Sequence, residues 1–239
     1  MQDLIKLNFE LSIKDLKKGV NFEDNVMQTI MLLNDLDKII NILRKRLSEW
    51  FYLYEPEYVR QFNFPEEHFK DLDEFKKNID LSVGAKINPE ENKQINNLSK
   101  LLLDIKNQRL DLINYLEGIM NVNCPNLTYI TNATIAGNLI LLAKGLRNLS
   151  KFPASTVQLL GAEKALFKHI KTGAKSPKHG VIINHPLISS APRNMKGKIA
   201  RSLADKISIC AKLDYFKGEF LAPNYLHQLE EKYAKKPVQ

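Results

Sequence analysis

Apolar residues recur along the first half of the chain in a 3-4 rhythm. Leu33, Leu36, Ile40, Leu43, Leu47, Trp50 and Tyr54 follow it without a break. Ile95, Leu98, Leu102, Ile105, Leu112, Leu116 and Ile119 follow it again, with Arg109 as a polar interruption. Sustained a/d spacing is the mark of helices packed along a narrow seam. The first segment predicts a helix from about Glu23 to Tyr54, roughly 45 Å long at 1.5 Å per residue, and Pro56 ends it. The intervening "PEYVRQFNFPEEHFKDLDEFKKNIDLSVGAKINPEE" carries Pro56, Pro65, Gly84 and Pro89, which predicts short helices and turns. The second segment then returns as the other arm of an antiparallel hairpin. Periodicity does not decide whether the seam closes within one chain or against a second copy. A single two-helix seam is thin, which favours a second copy.

The pattern changes after "NVNCPNLTYI". A helix is predicted near Leu127 to Leu149, with Ala133, Ala136, Gly137, Ala143 and Gly145 permitting close approach of neighbours. Ser155 and Gln158 after Pro153 read as a capping box opening the next helix, and Thr172-Gly173 as its end. Gly161 interrupts that helix, so the chain bends or stops there, or another group comes close. A last helix is predicted from about Gly197 to Asp214, burying Ile199, Leu203, Ile207 and Cys210. The only stretch resembling a strand is "GVIINHPLI". The fold class expected is all-α: a long antiparallel coiled-coil hairpin followed by a compact helical domain. The expected boundaries are residues 1–22, 23–121 and 122–239.

Composition changes this picture through charge alone. The 44% apolar content is that of an ordinary globular chain. The net charge of +8 conceals a split. Residues 1–121 hold 17 basic and 21 acidic side chains, net −4, and residues 122–239 hold 18 and 6, net +12. Between Lys151 and Arg201 ten basic residues face the single acid Glu163. Such a surface fits a polyanion. The two cysteines, Cys124 and Cys210, are isolated and point to a reducing compartment. The charged N-terminus does not read as a signal peptide, and no apolar run reaches membrane-spanning length, so a soluble intracellular protein is expected.

Lys164, Lys168, Lys171 and Lys175 are spaced by four, three and four, forming one helical stripe without interleaved acids. The basic run continues through Lys178 and His179 in "TGAKSPKHG". Lys196 and Lys198 stand at the start of the last predicted helix, where cations oppose the helix dipole but suit a bound phosphate. Arg201 lies one turn on, and Gly197 permits close backbone approach. Enzyme chemistry finds no support. His68, His169, His179, His185 and His227 have no metal spacing, and no phosphate-binding loop, nucleophile elbow or dinucleotide fingerprint occurs. No cofactor, metal or catalytic residue is expected.

The stretch "STVQLLGAEKALFKHIKTGAKSPKHG", followed by "GKIARSLADK" and "AKLDYF", closely resembles the signature of the Nop domain in box C/D ribonucleoprotein core proteins. "LLNDLDKIINILRKRLSEWFYLYEPE" is similar to the start of that family's coiled coil, so the resemblance runs from about Phe22 to Tyr215. The GAEKALF core points to the methylation-guide branch rather than the spliceosomal one, and the lack of a long Lys/Glu-rich tail looks archaeal. The resemblance implies a non-catalytic scaffold that dimerises through its coiled coil. It would bind a kink-turn of guide RNA together with a small ribosomal-protein-like subunit, and fibrillarin would supply 2′-O-methylation from S-adenosylmethionine.

Carried over by position, Gly161, Ala162, Glu163 and Lys164 would lie against RNA, as would Lys168, Lys171, Lys175, Lys178, His179, Lys196, Lys198 and Arg201. Ala165, Leu166 and Phe167 would face the kink-turn protein. Lys168 stands where many members carry Arg, which keeps the charge but loses the bidentate fork. Only about 22 residues precede the match, so most of the fibrillarin-binding domain is expected to be missing. The implied location is cytoplasmic for an archaeal chain and nucleolar for a eukaryotic one. Two rival readings are a spliceosomal-type assembly protein and a basic coiled-coil module indifferent to RNA structure.

Overall fold

The computed structural model describes residues 2–19, 21–54, 56–57 and 83–233, and among these all regular structure is helical. The segment expected to hold short helices and turns between the two long helices lies mostly outside the described residues, as does His68. The chain forms two compact units, one of residues 32–112 and the other of residues 1–31 and 113–239.

Helices α1 (Gln2–Gly19), α2 (Phe22–Tyr52) and α3 (Pro89–Asn123) come first. Within residues 32–112, α2 and α3 share a core of Ile40, Leu47, Phe51, Ile95 and Leu102. Leu43, Trp50, Tyr54, Leu98 and Ile105 pack around it, half-buried, so the 3-4 rhythm describes the observed seam. Arg109, the polar break in that rhythm, reaches across to Asp37, with Nε 2.5 Å from Oδ1. Tyr54 hydrogen-bonds Glu91 at the other end. Position 37 opposite 109 and position 54 opposite 91 make the arms antiparallel. The Arg109–Asp37 pair is one-third to one-half exposed, so it marks direction and register and adds little stability.

The second unit is built around α10 (Lys196–Tyr215). Ile199, Leu203, Ile207 and Cys210 of α10 are buried as expected, and Ala200, Ala204, Ser208 and Ala211 make a small-residue face for close neighbours. Where one helix is predicted from Leu127 to Leu149, three shorter ones form: α4 (Pro125–Thr131), α5 (Ala133–Ala143) and α6 (Leu146–Lys151). The breaks have local causes. Asn132 takes φ 87° and its side chain caps the Ile135 N–H, while Lys144 and Gly145 are both left-handed. The small residues serve contact with the start of α2. A Cβ on Gly137 would fall 2.8 Å from Ile30, and one on Gly145 would fall 2.6 Å from Glu23, whose carboxylate accepts the Leu146 N–H.

Helices α7 (Ala154–Leu159) and α8 (Glu163–Thr172) replace the single helix predicted from Ser155 to Thr172. "GVIINHPLI" is no strand but a 3-10 turn, Val181–Asn184, followed by α9 (Pro186–Ser189). Helix α11 (Ala222–Tyr233) packs on α10 and was not anticipated from the sequence.

One buried carboxylate ties these ends together. Asp214 accepts hydrogen bonds from the backbone N–H of Asn126 and Leu127 and from the Asn126 side chain, at 2.8–3.0 Å. The Asn126 side-chain Oδ1 in turn accepts the Leu221 and Ala222 N–H groups at the start of α11. Two helix N-termini are thereby satisfied through a single polar pair. Burial pushes the Asp214 carboxyl up, and its N–H donors pull against that.

Candidate nucleic-acid interface

Residues 161–180 form an excursion pinned at its base. Gly161, at φ +85°, ends α7 and turns the chain away. A Cβ there would meet Val181 at 2.5 Å, so the helix both stops at Gly161 and admits a close neighbour. On the return, Gly180 donates its N–H to Gln158 O and Val181 donates to Leu160 O, both at 2.8 Å. A Cβ on Gly180 would collide with the Leu160 carbonyl. The expected capping box is absent. Helix α7 starts one residue early with Pro153 as its cap, and the Gln158 amide instead donates to Lys178 O at 2.6 Å. The side chain read as a helix start therefore clamps the basic loop.

Between these clamps, α8 has no buried residue. Lys164, Lys168 and Lys171 stand exposed on it. Lys175 leaves the predicted stripe, because Gly173 closes α8 in the left-handed region at φ 66° and Lys175 falls in the loop beyond. The His169 ring donates from Nδ1 to the Ala174 carbonyl and folds that loop back on α8. Phe167 and Ile170 are 70% and 72% exposed, three residues apart on one face, with Leu166 half-buried beside them. Two large apolar side chains held in water on a helix pinned at both ends mark a contact surface. Ile170 is an addition, since the sequence reading placed only Ala165, Leu166 and Phe167 there. Glu163, the single acid, is occupied internally: its carboxylate accepts the Gly161 N–H at 2.7 Å.

The loop then meets the start of α10. Lys178, Lys198 and Arg201 gather around an open pocket of about 390 Å³, with Gln158, Ser176 and Asn194 adding neutral polar groups. The Lys178 stem runs over Gly197, where an added Cβ would sit in ordinary contact with it at 3.4 Å, so the approach does not itself demand glycine. This is the meeting of loop and helix N-terminus anticipated from the lysine pattern. Ser176 and Asn194 carry no sequence signal and enter by geometry, and Gln158 enters by its bond to the loop rather than by the capping role its spacing suggests. Lys196 differs from the other two lysines, since its Nζ donates to the Ser189 carbonyl at 3.1 Å. Burial, and then the charges of Lys196 and Lys178, push the His179 imidazole below its usual range. His179 is therefore neutral at pH 7 and offers a hydrogen bond rather than a charge.

The hairpin has a surface of its own. Leu32, Ile39, Ile42 and Leu53 of α2 and its end are 42–60% exposed. At 100° per residue they fall within about 80° of one another, a second apolar stripe beside the closed seam.

Residues 32–235 match the family described as "Nop: snoRNA binding domain, fibrillarin". An uncharacterized NOP5 family protein of Methanocaldococcus jannaschii is 37% identical over 247 residues, covering 93% of this chain and 59% of that protein. Nucleolar protein 58 of Mycosarcoma maydis is 36% identical, over 79% of this chain and 36% of its own. Nucleolar protein 56 of Schizosaccharomyces pombe is 34% identical, over 88% and 48%. The chain thus spans between about one-third and three-fifths of the length of these relatives. The crystal structure of a fibrillarin/Nop5p complex aligns with a TM-score of 0.58 at 26% identity, over 97% of this chain and 78% of that one. The match runs from within α2 through α11, including the pinned excursion and its basic pocket, and by it this chain belongs to the Nop family, alongside archaeal NOP5 and the nucleolar proteins 56 and 58.

Proposed function

We propose that this chain is a non-catalytic scaffold of a box C/D guide ribonucleoprotein that directs RNA 2′-O-methylation. Residues 122–239 bind the composite surface made by a guide-RNA kink-turn and its small ribosomal-protein-like subunit. Residues 23–121 serve self-association. Fibrillarin, the S-adenosylmethionine-dependent methyltransferase, is the enzyme the scaffold serves, with docking through segments that relatives carry beyond the matched length. The chain itself takes no cofactor.

The observation that carries this reading is the pinned excursion. It displays Phe167 and Ile170 on the same ten-residue helix as Lys164, Lys168 and Lys171, and it returns into the pocket of Lys178, Lys198 and Arg201. Apolar anchors interleaved with cations suit a partner that is part protein and part phosphate backbone. Phe167 alone would suit stacking on an unpaired base, but the aliphatic Ile170 beside it suits a protein partner. The second apolar stripe on α2 supports self-association, since the antiparallel arms leave it exposed among the described residues.

Three variants separate the two halves of the recognition. Phe167→Ser should lower affinity for the kink-turn RNA–protein complex about tenfold or more, while leaving weak binding to bare RNA unchanged. Lys178→Ala and Lys198→Ala should weaken both. Equal loss for Phe167→Ser on bare RNA and on the complex would remove the composite reading and leave a generic basic module.

A further inference from the structure

We propose that the cleft between α10 and α11 is a second RNA-backbone site, continuous with the Lys178–Lys198 pocket. It rests on the function proposed above and extends it to a surface outside the excursion and its pocket. The cleft has a volume of about 430 Å³ and is lined by Arg201, Ser202, Lys206, Gln228, Leu229 and Lys232. Arg201 lines both this cleft and the first pocket, so the two open on either side of one guanidinium. From Lys198 to Lys206 the lining runs along one face of α10 for about 12 Å at 1.5 Å per residue. That length lets more than one successive phosphate of an RNA strand meet the cations of the lining.

The cations of the cleft are held by neutral groups. Lys206 Nζ donates to Gln228 Oε1 at 2.9 Å and lies 4.8 Å from the Tyr225 ring centroid. Lys232 Nζ donates to Ser202 Oγ at 3.2 Å and lies 5.4 Å from the Tyr233 ring. Ser202 is itself held by the Tyr233 hydroxyl at 2.6 Å. These partners fix where the ammonium groups sit without cancelling their charge, which lowers the ordering cost of binding an anion. Asp205 is the acid of the lining, and among the described residues no ion pair joins it to Arg201, Lys206 or Lys232. Lysines on an ordinary solvated helix face mix with acids at one-turn spacing. Here they mix with hydroxyl, amide and aromatic groups. Leu229 is buried beneath these side chains and holds α11 against the domain.

The test uses the full chain with its kink-turn RNA and kink-turn-binding protein, in two forms of RNA, one with a short stem and one with the stem extended. The wild-type chain should gain affinity on extension, and Lys206→Gln/Lys232→Gln should lose that gain. Its plot of log affinity against log salt should be shallower by about 1.4–1.8, for two lost phosphate contacts. Lys206→Arg/Lys232→Arg should restore both. In the wild-type complex, acetylation of Lys206 and Lys232 read by mass spectrometry should be slowed by the extended RNA, a readout that needs no variant. Unchanged affinity and slope in the Gln variant, or unprotected lysines in a complex whose Lys178 and Lys198 are protected, would overturn the second site and leave the first intact. Absence of wild-type binding to either RNA would instead overturn the scaffold reading, and this site with it.

Discussion

His185 shows how one side chain can carry a loop and a pH dependence together. It is buried, its Nε2 donates to the Ile130 carbonyl at 2.9 Å, and its Nδ1 accepts the Leu187 N–H at 3.2 Å. Both ring nitrogens are used only in the neutral tautomer. Burial holds the imidazole below its usual range, with the Ile130 bond opposing. The unfolded chain therefore takes up its proton first, near pH 6.5. Stability is complete above that value and declines as pH falls below it. We predict a melting temperature flat from pH 8 to 7 that falls between pH 6.5 and 5, with a smaller fall in His185→Gln. His179, also lowered, contributes with the same sign and keeps the variant from becoming flat. An equal fall in wild type and variant would assign the dependence elsewhere. Asp214 supports a second prediction at this scale. Asp214→Ala strands the Asn126 and Leu127 N–H groups in the interior, at a cost of about 3 kcal/mol. Thermal melting should drop by roughly 10 °C for a chain of this size.

At the scale of elements, legibility followed the kind of signal. The hairpin was legible because a seam repeats, and Ile40, Leu47, Ile95 and Leu102 each report the same face. The second unit was legible as helical but not in its breaks. Asn132 and Lys144 both adopt positive φ, which Asn tolerates better than most residues but which a Lys does not announce. The Ser155–Gln158 pattern has the spacing of a capping box, yet Gln158 serves the loop twenty residues on, a contact that no local window contains. Gly161 was recognised as an interruption, and its role needed Val181 beside it. Lys178, Lys198 and Arg201 converge as charge patterning implied, whereas Lys175 does not extend the stripe because Gly173 ends the helix. The clamp offers a test of its own. Gln158→Ala should leave helicity within error and shift the melting temperature by no more than a few degrees. It should still weaken RNA binding several-fold by freeing the Lys178 loop. Unchanged binding would show that the loop is positioned without it. On the hairpin, Ile39→Asp/Ile42→Asp should lower the solution mass to that of a monomer while helicity persists, because both side chains are exposed. Leu36→Asp or Leu43→Asp, at the half-buried seam, should cost helicity as well.

At the scale of the whole molecule, the organising feature is the separation of charge from the seam. The net +12 of residues 122–239 sits on a domain whose interior is conventional, with Ile, Leu and Ala on α10 and a satisfied carboxylate at its end. The charge therefore does not serve folding; if anything, it opposes compaction. The proposed RNA partner would repay that cost, and the excursion adds apolar anchors that phosphates alone would not engage. Six exposed cations, Lys164, Lys168, Lys171, Lys178, Lys198 and Arg201, set the scale of the electrostatics. If each meets a phosphate, log affinity should fall with log salt at a slope of about −4 to −5. The most direct test of the account is a gel-shift titration across salt, with a kink-turn RNA and a control whose kink-turn is mutated, each with and without the kink-turn-binding protein. The account predicts tight, salt-steep binding only when intact kink-turn and protein are both present. Equal, weak binding to every RNA, with or without the protein, would contradict it.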